Sequence, residues 1–340
     1  MLENKPILID ALHVNVSGGL MILNHFVNRL TKRKIDFVLL RDERCPRLES
    51  EAGAKEVFVL SCDKKTRKTF YSVHKDDYRT VFCMGNIPPY IKLNCPVHTY
   101  FHNVSMLKLP KDYKASLKLK TLLKRMFICF YAKNTDTWIV QTQNTEDLVR
   151  RYLPTKGKSV FQYPFYAIDP RLREPSSIER TDYVFVGEYT SAKGHEDIVS
   201  AWEKLTLMGF GKPLHMTVSS RRFIDRLNES IEKGNNIVNH GFIPHSEVID
   251  LFKHCKAMVY PSLNESLGLG VIEAIEAGCD IIGTDLPFLH SICEPSETFR
   301  EHDSDSIVDA VLRYEKGCSK KSVLTIRDCA DELIDFLEKQ

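Results

Sequence analysis

The chain has 340 residues, 43% of them hydrophobic and 27% charged, with a formal net charge of +2. That length sets a prior of two domains, each able to bury its own core, and the composition excludes a disordered, fibrous or disulfide-framework protein. Ten cysteines are scattered without a Cys-x-x-Cys pair or a metal-ligand spacing, a pattern that fits a reducing cytoplasm. The small net charge conceals a division. Residues 1–165 hold 28 Lys and Arg against 15 Asp and Glu, or +13, and residues 166–340 hold 19 against 30, or −11. Opposite signs point to two domains with different partners. No apolar run is long enough to span a bilayer, and the apolar start at Pro6–Asp10 is too short for a secretory signal.

Pro6–Asp10 reads as a first strand. It runs into a turn carrying Gly18-Gly19 and then a helix, in which Leu20, Leu23, Val27 and Leu30 recur at helical spacing. Glycines at a helix start let a ligand approach the backbone, and the helix N-terminus favours phosphate; a plain tight turn is the other reading. Strands follow at Phe37–Leu40, Val57–Leu60, Val81–Met84 and Val97–Phe101, with helical or turn segments between them. His102 follows the last of these, at the edge where open α/β sheets bind ligands. Lys111–Lys133 carries two stripes on one helix. Leu119, Leu122, Leu123, Met126, Phe127 and Phe130 form the apolar one, and Lys114, Lys118 and Arg125 the basic one, with Lys120 and Lys124 beside it. It fits either a domain helix with a solvated face or a surface for anionic lipid.

Trp138–Gln141 is a strand, Asn144 or Thr145 caps a helix through Tyr152, and Val160–Phe161 closes the first domain. Residues 162–182 hold three prolines and Ser176-Ser177, the composition of a linker. The second domain opens with Tyr183–Val186, then Gly187-Glu188, the turn Thr190–Gly194 with Lys193, and a helix marked by Ile198, Trp202 and Leu205. His215–Val218 and Ile237–Asn239 are further strands, followed by Gly241-Phe242-Ile243-Pro244 and a helix over Glu247–Lys253. Asp303-Ser304-Asp305 directly precedes a helical pattern at Ile307–Leu312, which makes it a helix cap before it is a metal site. Ile326–Leu337 is a final amphipathic helix.

The densest signal lies in Lys256–Asp285, which reads strand, loop, helix, strand. Ala257–Tyr260 is apolar and ends at Pro261-Ser262. Leu267–Ala277 is apolar around most of its circumference and stops at Gly278. Two carboxylates interrupt the unit, Glu265 in the loop and Glu273 in the helix, and a buried Glu273 needs a partner. Ser266, Leu267 and Gly268 offer backbone N–H groups at the helix start, an anion site. From the residues alone this is also what an ordinary buried βαβ unit looks like, with Glu273 in a structural ion pair.

The Glu-x7-Glu spacing in its Pro-Ser-x-x-Glu-Ser-x-Gly-Leu context resembles the donor site of family-four retaining glycosyltransferases. The resemblance implies an α/β chain of the GT-B fold, with two Rossmann-like domains facing a central cleft: 1–165 on the acceptor side, 180–325 on the nucleotide-sugar donor side, and 326–340 returning to the first domain. It places Glu265 at the transferred sugar with His102 opposite. Glu273 would lie on the ribose, Gly18 and Gly19 across from the phosphates, Lys193 on the diphosphate with Ser266, Leu267 and Gly268, and Phe242 and Ile243 around the base. Glu188 stands where the family carries Arg, a reversal of charge. The implied activity is metal-independent transfer of a hexosyl-type sugar from a sugar nucleotide, with no cofactor, to a glycan or lipid-diphosphate-linked acceptor in bacterial surface polysaccharide synthesis. The expected location is cytoplasmic, peripheral on the inner membrane face through Lys111–Lys133, with no nucleic-acid partner. A same-fold phosphorylase, a sugar-nucleotide epimerase and a non-catalytic sugar-binding module remain the alternatives.

Overall fold

Short runs rich in Val, Ile and Phe recur through the first half of the chain, and each becomes a strand, the central ones buried on both faces and the two edge strands partly exposed. In the computed structural model, which describes residues 5–15, 17–109, 115–175 and 179–340, these are β1 (Ile7–Ala11), β2 (Phe37–Asp42), β3 (Glu56–Leu60), β4 (Thr80–Cys83), β5 (Val97–Phe101), β6 (Thr137–Val140) and β7 (Ser159–Gln162). They form one parallel sheet in the order β3-β2-β1-β4-β5-β6-β7. The order reverses between β1 and β4, which opens a crevice above their carboxyl ends where ligands of such sheets bind. Helices α1 (Ser17–Lys32), α2 (Lys64–Val73), α3 (Ala115–Tyr131) and α4 (Gln143–Tyr152) make the crossovers.

The chain divides into two units, Met1–Ala167 with Arg327–Gln340, and Ile168–Ile326. The second unit repeats the plan with β8 (Asp182–Phe185), β9 (Leu214–Met216), β10 (Ile237–Asn239), β11 (Cys255–Tyr260), β12 (Asp280–Thr284), the short β13 (Cys293–Glu294), β14 (Glu297–Phe299) and β15 (Val323–Leu324). Its parallel sheet runs β10-β9-β8-β11-β12-β14, with the reversal between β8 and β11. Helices α5 (His195–Leu207), α6 (Ile224–Glu232), α7 (His245–His254), α8 (Leu269–Glu276), α9 (Pro287–His290) and α10 (Ser304–Glu315) connect the strands.

Helix α11 (Ala330–Glu338) belongs to the first unit. Its Leu333, Ile334 and Leu337 are fully buried, and Phe336 packs against His98, Phe161 and Tyr163. Arg29 of α1 and Arg33 just past its end pair with Asp331 and Asp335 across the contact. The helix starts later than its apolar pattern, because Asp328 turns the chain first: it accepts from the N–H groups of Tyr166 and Ala330 and pairs with His25 at 3.0 Å.

Local chemistry explains the other departures. Thr142, not Asn144 or Thr145, caps α4 by accepting from the Thr145 N–H. Asp303 caps α10 by accepting from the Ser306 N–H at 2.9 Å, and Asp305 pairs with Lys204. The largest surprise is α3. Only Ile128 and Tyr131 of this helix are buried, whereas Leu117, Leu119, Leu122, Leu123, Met126 and Phe130 are between 41% and 64% exposed. Its periodicity is real, but the first unit covers little of the stripe. Residues 111–114, with Lys111 and Lys114, lie outside the described residues.

Candidate functional site

In the first unit, the loops after β1, β4 and β5 enclose a pocket of about 570 Å³ with α3 as one wall; His13, Gly19, Asn86, His102, Leu123 and Phe127 are among its lining. A buried charge pair fixes two of these loops. Arg67 on α2 donates twice to Asp10 of β1, at 2.9 and 2.6 Å, and also to the carbonyls of Ile87 and Pro88. Asp10 in turn accepts from the Leu12 N–H and the Tyr71 hydroxyl. Both charges are fully buried, so every lone pair and proton must find a partner there, and these bonds supply them.

His102 is held through Asn86, a non-glycine residue at φ +65°. The Asn86 carbonyl accepts from the N–H groups of His102 and Asn103 at 2.7 and 3.0 Å. That leaves its amide N–H₂ to donate to His102 Nε2 at 3.4 Å. This network assigns the ring proton to Nδ1, which has no hydrogen-bond partner among the described residues. Burial lowers the imidazole pKa to about 4. The ring is therefore neutral at pH 7. A second imidazole, His13, lines the same pocket at φ +75°, with its Nε2 buried and unpartnered among the described residues, and burial lowers its pKa too. Gly19 lines the pocket, and a Cβ on Gly18 would meet open space. Packing does not demand a glycine at 18.

In the second unit the loops after β8 and β11 lie side by side above the strand reversal. Leu263 N–H donates to the Ala192 carbonyl at 2.8 Å. Gly194, at φ +65°, approaches so closely that a Cβ there would lie 2.4 Å from the Pro261 carbonyl oxygen. This contact sets Lys193 against Glu265, with which it forms an ion pair, and over the Tyr260 ring at 5.6 Å. Ser262 also donates to Glu265, at 3.2 Å. Burial works against the Lys193 charge, but Tyr260 and Glu265 outweigh it and raise the ammonium pKa.

Helix α8 begins at Leu269, later than its apolar run, because Gly268 adopts a left-handed conformation (φ +64°) as its cap. A Cβ on Gly268 would come 2.7 Å from Ile292 Cδ1. Leu267 is buried, so its side chain is not offered to a ligand. Glu273, buried one turn into α8, accepts from or pairs with His245 Nε2 at 2.8 Å. The hydrogen bond that His245 donates to Glu273 raises the His245 pKa. His245 opens α7 directly after the Gly241–Pro244 loop, where Phe242 is 83% exposed and Ile243 half-buried. One imidazole thus ties that loop to the Glu273 carboxylate. Among the described residues no three His, Cys, Asp or Glu side chains cluster as metal ligands.

Residues 170–324 match the family model of glycosyl transferases group 1. The second unit is a glycosyl transferases group 1 domain. No curated protein matches the chain in sequence. Solved structures do match over nearly its whole length. The sucrose-phosphate synthase from Thermosynechococcus elongatus aligns at TM-score 0.66 and 15% identity, over 92% of this chain and 90% of that one. The lipopolysaccharide outer core galactosyltransferase WaaB in its apo form aligns at 0.64 and 13%, over 93% and 91%. HepE from Anabaena in complex with UDP-glucose aligns at 0.65 and 11%, over 92% and 90%. Such identities show the fold: two parallel-sheet α/β domains of the GT-B type.

The group 1 domain brings Lys193 and Glu265 into contact and joins the Phe242-Ile243 loop to Glu273 through His245. His102, Gly18 and Gly19 lie in the first unit. Three residues escaped the sequence reading. His245 follows a Pro at a helix start, a position with no signal for a carboxylate 28 residues on. His13 sits two residues past β1, in the crevice loop, where its position was a usable signal. Arg67 and Asp10 are 57 residues apart, and only an Asp at the end of the apolar run Pro6–Asp10 hinted at a buried cation.

Proposed function

We propose that the chain is a retaining glycosyltransferase that moves a hexosyl-type sugar from a nucleoside-diphosphate sugar to a glycan or lipid-linked acceptor. The observation that carries this is the Lys193–Glu265 pair set beside the Gly268-capped start of α8, with Glu273 held one turn further on. In this reading the donor's diphosphate lies against the Lys193 ammonium and the N–H groups leading into α8. Negative charge grows on the leaving phosphate as its bond to the sugar breaks, and these groups stabilise it without a divalent metal. Glu265 orients the sugar, and Glu273 accepts from the ribose hydroxyls. His102, neutral and with Nδ1–H unengaged, donates to a hydroxyl of the sugar or acceptor instead of taking its proton. HepE, whose solved complexes contain UDP and UDP-glucose, supports a sugar nucleotide as the donor class.

The exposed face of α3 supports an acceptor at an anionic membrane surface, as in surface polysaccharide synthesis. Among Ala115–Tyr131 the charged residues are Lys118, Lys120, Lys124 and Arg125, all basic. No described helix is long and apolar enough to cross a membrane. An amphipathic helix with apolar and basic side chains outward lies flat at the headgroup level.

A panel of sugar nucleotides tests the central claim. One of them should raise the thermal midpoint by mass action and, with an acceptor, yield a new glycoside with the donor's anomeric configuration; chelator should leave the rate unchanged. Loss of activity in EDTA with rescue by manganese would overturn the metal-free mechanism. Stabilisation without turnover of any donor would favour a binding module.

A further inference from the structure

Glu188 follows β8 at the same sheet edge as Lys193, so its charge alone would repel a diphosphate bound there. Its carboxylate is already committed. It accepts from the Ser219 hydroxyl at 2.6 Å, the Ser219 N–H at 3.2 Å, and the N–H groups of Ser220 and Tyr189, both at 2.9 Å. Four donors on one carboxylate disperse its charge and fasten the loop that follows β9, the strand beside β8. The loop is fastened a second time by Tyr189, whose ring stacks on Phe223 at 4.9 Å and 8°, with His195 edge-on to both. Between the two fastenings stand Arg221 and Arg222. Both are exposed, and neither forms an ion pair among the described residues. Two adjacent arginines without counter-charges, on a loop held at both ends, form a pre-ordered anion site.

We propose that Glu188 is a positioning residue that pins the Ser219–Phe223 loop so that Arg221 and Arg222 bind the donor's diphosphate alongside Lys193. This rests on the donor reading given above. It inverts the expected sign of a charge substitution, because removing the Glu188 carboxylate should weaken anion binding rather than strengthen it.

The probes are UDP, GDP and ADP, titrated by calorimetry into the intact protein and its variants. Arg221→Ala/Arg222→Ala should weaken the best-bound nucleotide by about tenfold to a hundredfold, the range for a charge-assisted contact, and flatten the salt dependence of its affinity. Glu188→Ala should weaken binding by several-fold in the wild-type background and by nothing further in the arginine-less one, with the thermal midpoint preserved. Glu188→Gln, which keeps an acceptor oxygen, should fall between. Tighter binding by Glu188→Ala, or an equal loss in both backgrounds, overturns the positioning role. If Lys193→Ala weakens nucleotide binding and the double arginine variant leaves it unchanged, the donor site stands and this inference falls. If wild-type protein binds none of the three, the donor reading falls and takes the inference with it.

Discussion

In the donor site proposed above, one property separates the two members of the Lys193–Glu265 pair. In the ligand-free chain each neutralises the other, with side-chain exposures of 27% and 20%. A pair this wet lies between a surface bridge, worth about 0–1 kcal/mol, and a buried one, costing about 3–5 kcal/mol to break from one side. An arriving diphosphate must share the Lys193 ammonium with Glu265. Replacing Glu265 with Gln keeps the shape and frees the ammonium. UDP or GDP should then bind as well as to wild type, or tighter by up to about fivefold, the equivalent of ~1 kcal/mol. Turnover should fall by about tenfold to a thousandfold, because the group that orients the sugar is gone. Lys193→Ala must behave differently. It should weaken the nucleotide and the turnover together, and destabilise the fold by about 1–3 kcal/mol, since Glu265 keeps hydroxyl partners such as Ser262 but loses its counter-charge. Calorimetry with the nucleotide, and initial rates with the identified donor, separate the two. If Glu265→Gln weakens the nucleotide as much as Lys193→Ala, the carboxylate acts through the diphosphate, and its assignment to the sugar fails.

The remaining expectations concern positions further from the leaving group. Glu273→Gln should raise the donor KM about tenfold with little change in kcat, and equal loss in both would remove it from the ribose. His245 titrates above its ordinary value because Glu273 holds its proton. Its contribution to stability is fully present below the unfolded imidazole pKa of about 6.5 and lost as pH rises through the higher folded value. His245→Gln should therefore cost more stability at pH 6 than at pH 9 in parallel denaturant titrations; a pH-independent cost would show the pair to be neutral. Arg67→Ala leaves Asp10 charged and buried and should destabilise by about 3–5 kcal/mol, read from the urea midpoint, and a smaller loss would mean water reaches Asp10. Sedimentation with anionic liposomes should show binding that weakens steeply from low to physiological salt. Lys118→Glu/Lys120→Glu/Lys124→Glu should abolish it with the thermal midpoint intact. Equal binding to neutral liposomes would refute the electrostatic part.

The architecture was legible because both sheets are parallel and buried, so their strands are apolar runs separated by helical periodicity. The spacing of the proposed donor constellation was legible for a different reason. Glu265, Gly268 and Glu273 lie within a single strand–loop–helix unit, where spacing in sequence fixes spacing in the fold. Lys193 entered through its turn, but nothing in the sequence said that it would meet Glu265, 72 residues away. That contact depends on Gly194 passing under the Pro261 carbonyl, a demand on backbone approach that a glycine in a turn does not announce. The same limit hid His245 and Arg67. Long-range pairing of charges is decided by topology, and a single sequence carries only the fact that a buried carboxylate must be satisfied, not by which residue. Glu188 shows the converse. Read as a charge at a position it opposes the site, and read as an acceptor with four donors it builds the loop beside it.

Helix α3 marks where periodicity stops being informative. An apolar stripe beside lysines is produced equally by a helix that packs on a sheet and by one that meets lipid, since both need one face without charge. The first unit resolves the ambiguity by geometry. Its sheet is already covered near β5 and β6, where Ile128 and Tyr131 at the end of α3 are buried. In the preceding turns Leu119, Leu122, Leu123 and Met126 are between 41% and 59% exposed. Arg125, counted with the basic stripe, is diverted to the Leu107 carbonyl and the Tyr152 ring, so it anchors the helix instead of facing outward. What projects is therefore apolar side chains with Lys118, Lys120 and Lys124 among them, and the same helix lends Leu123, Lys124 and Phe127 to the wall of the pocket that holds His13 and His102. A lipid-linked acceptor would meet the apolar face with its tail and the pocket with its hydroxyl group, so membrane attachment and acceptor choice would be two uses of one surface. That gives the two properties a common test. Leu119→Ser/Met126→Ser should lower both liposome binding and transfer to a lipid-linked acceptor, while transfer to a short soluble acceptor keeps its rate.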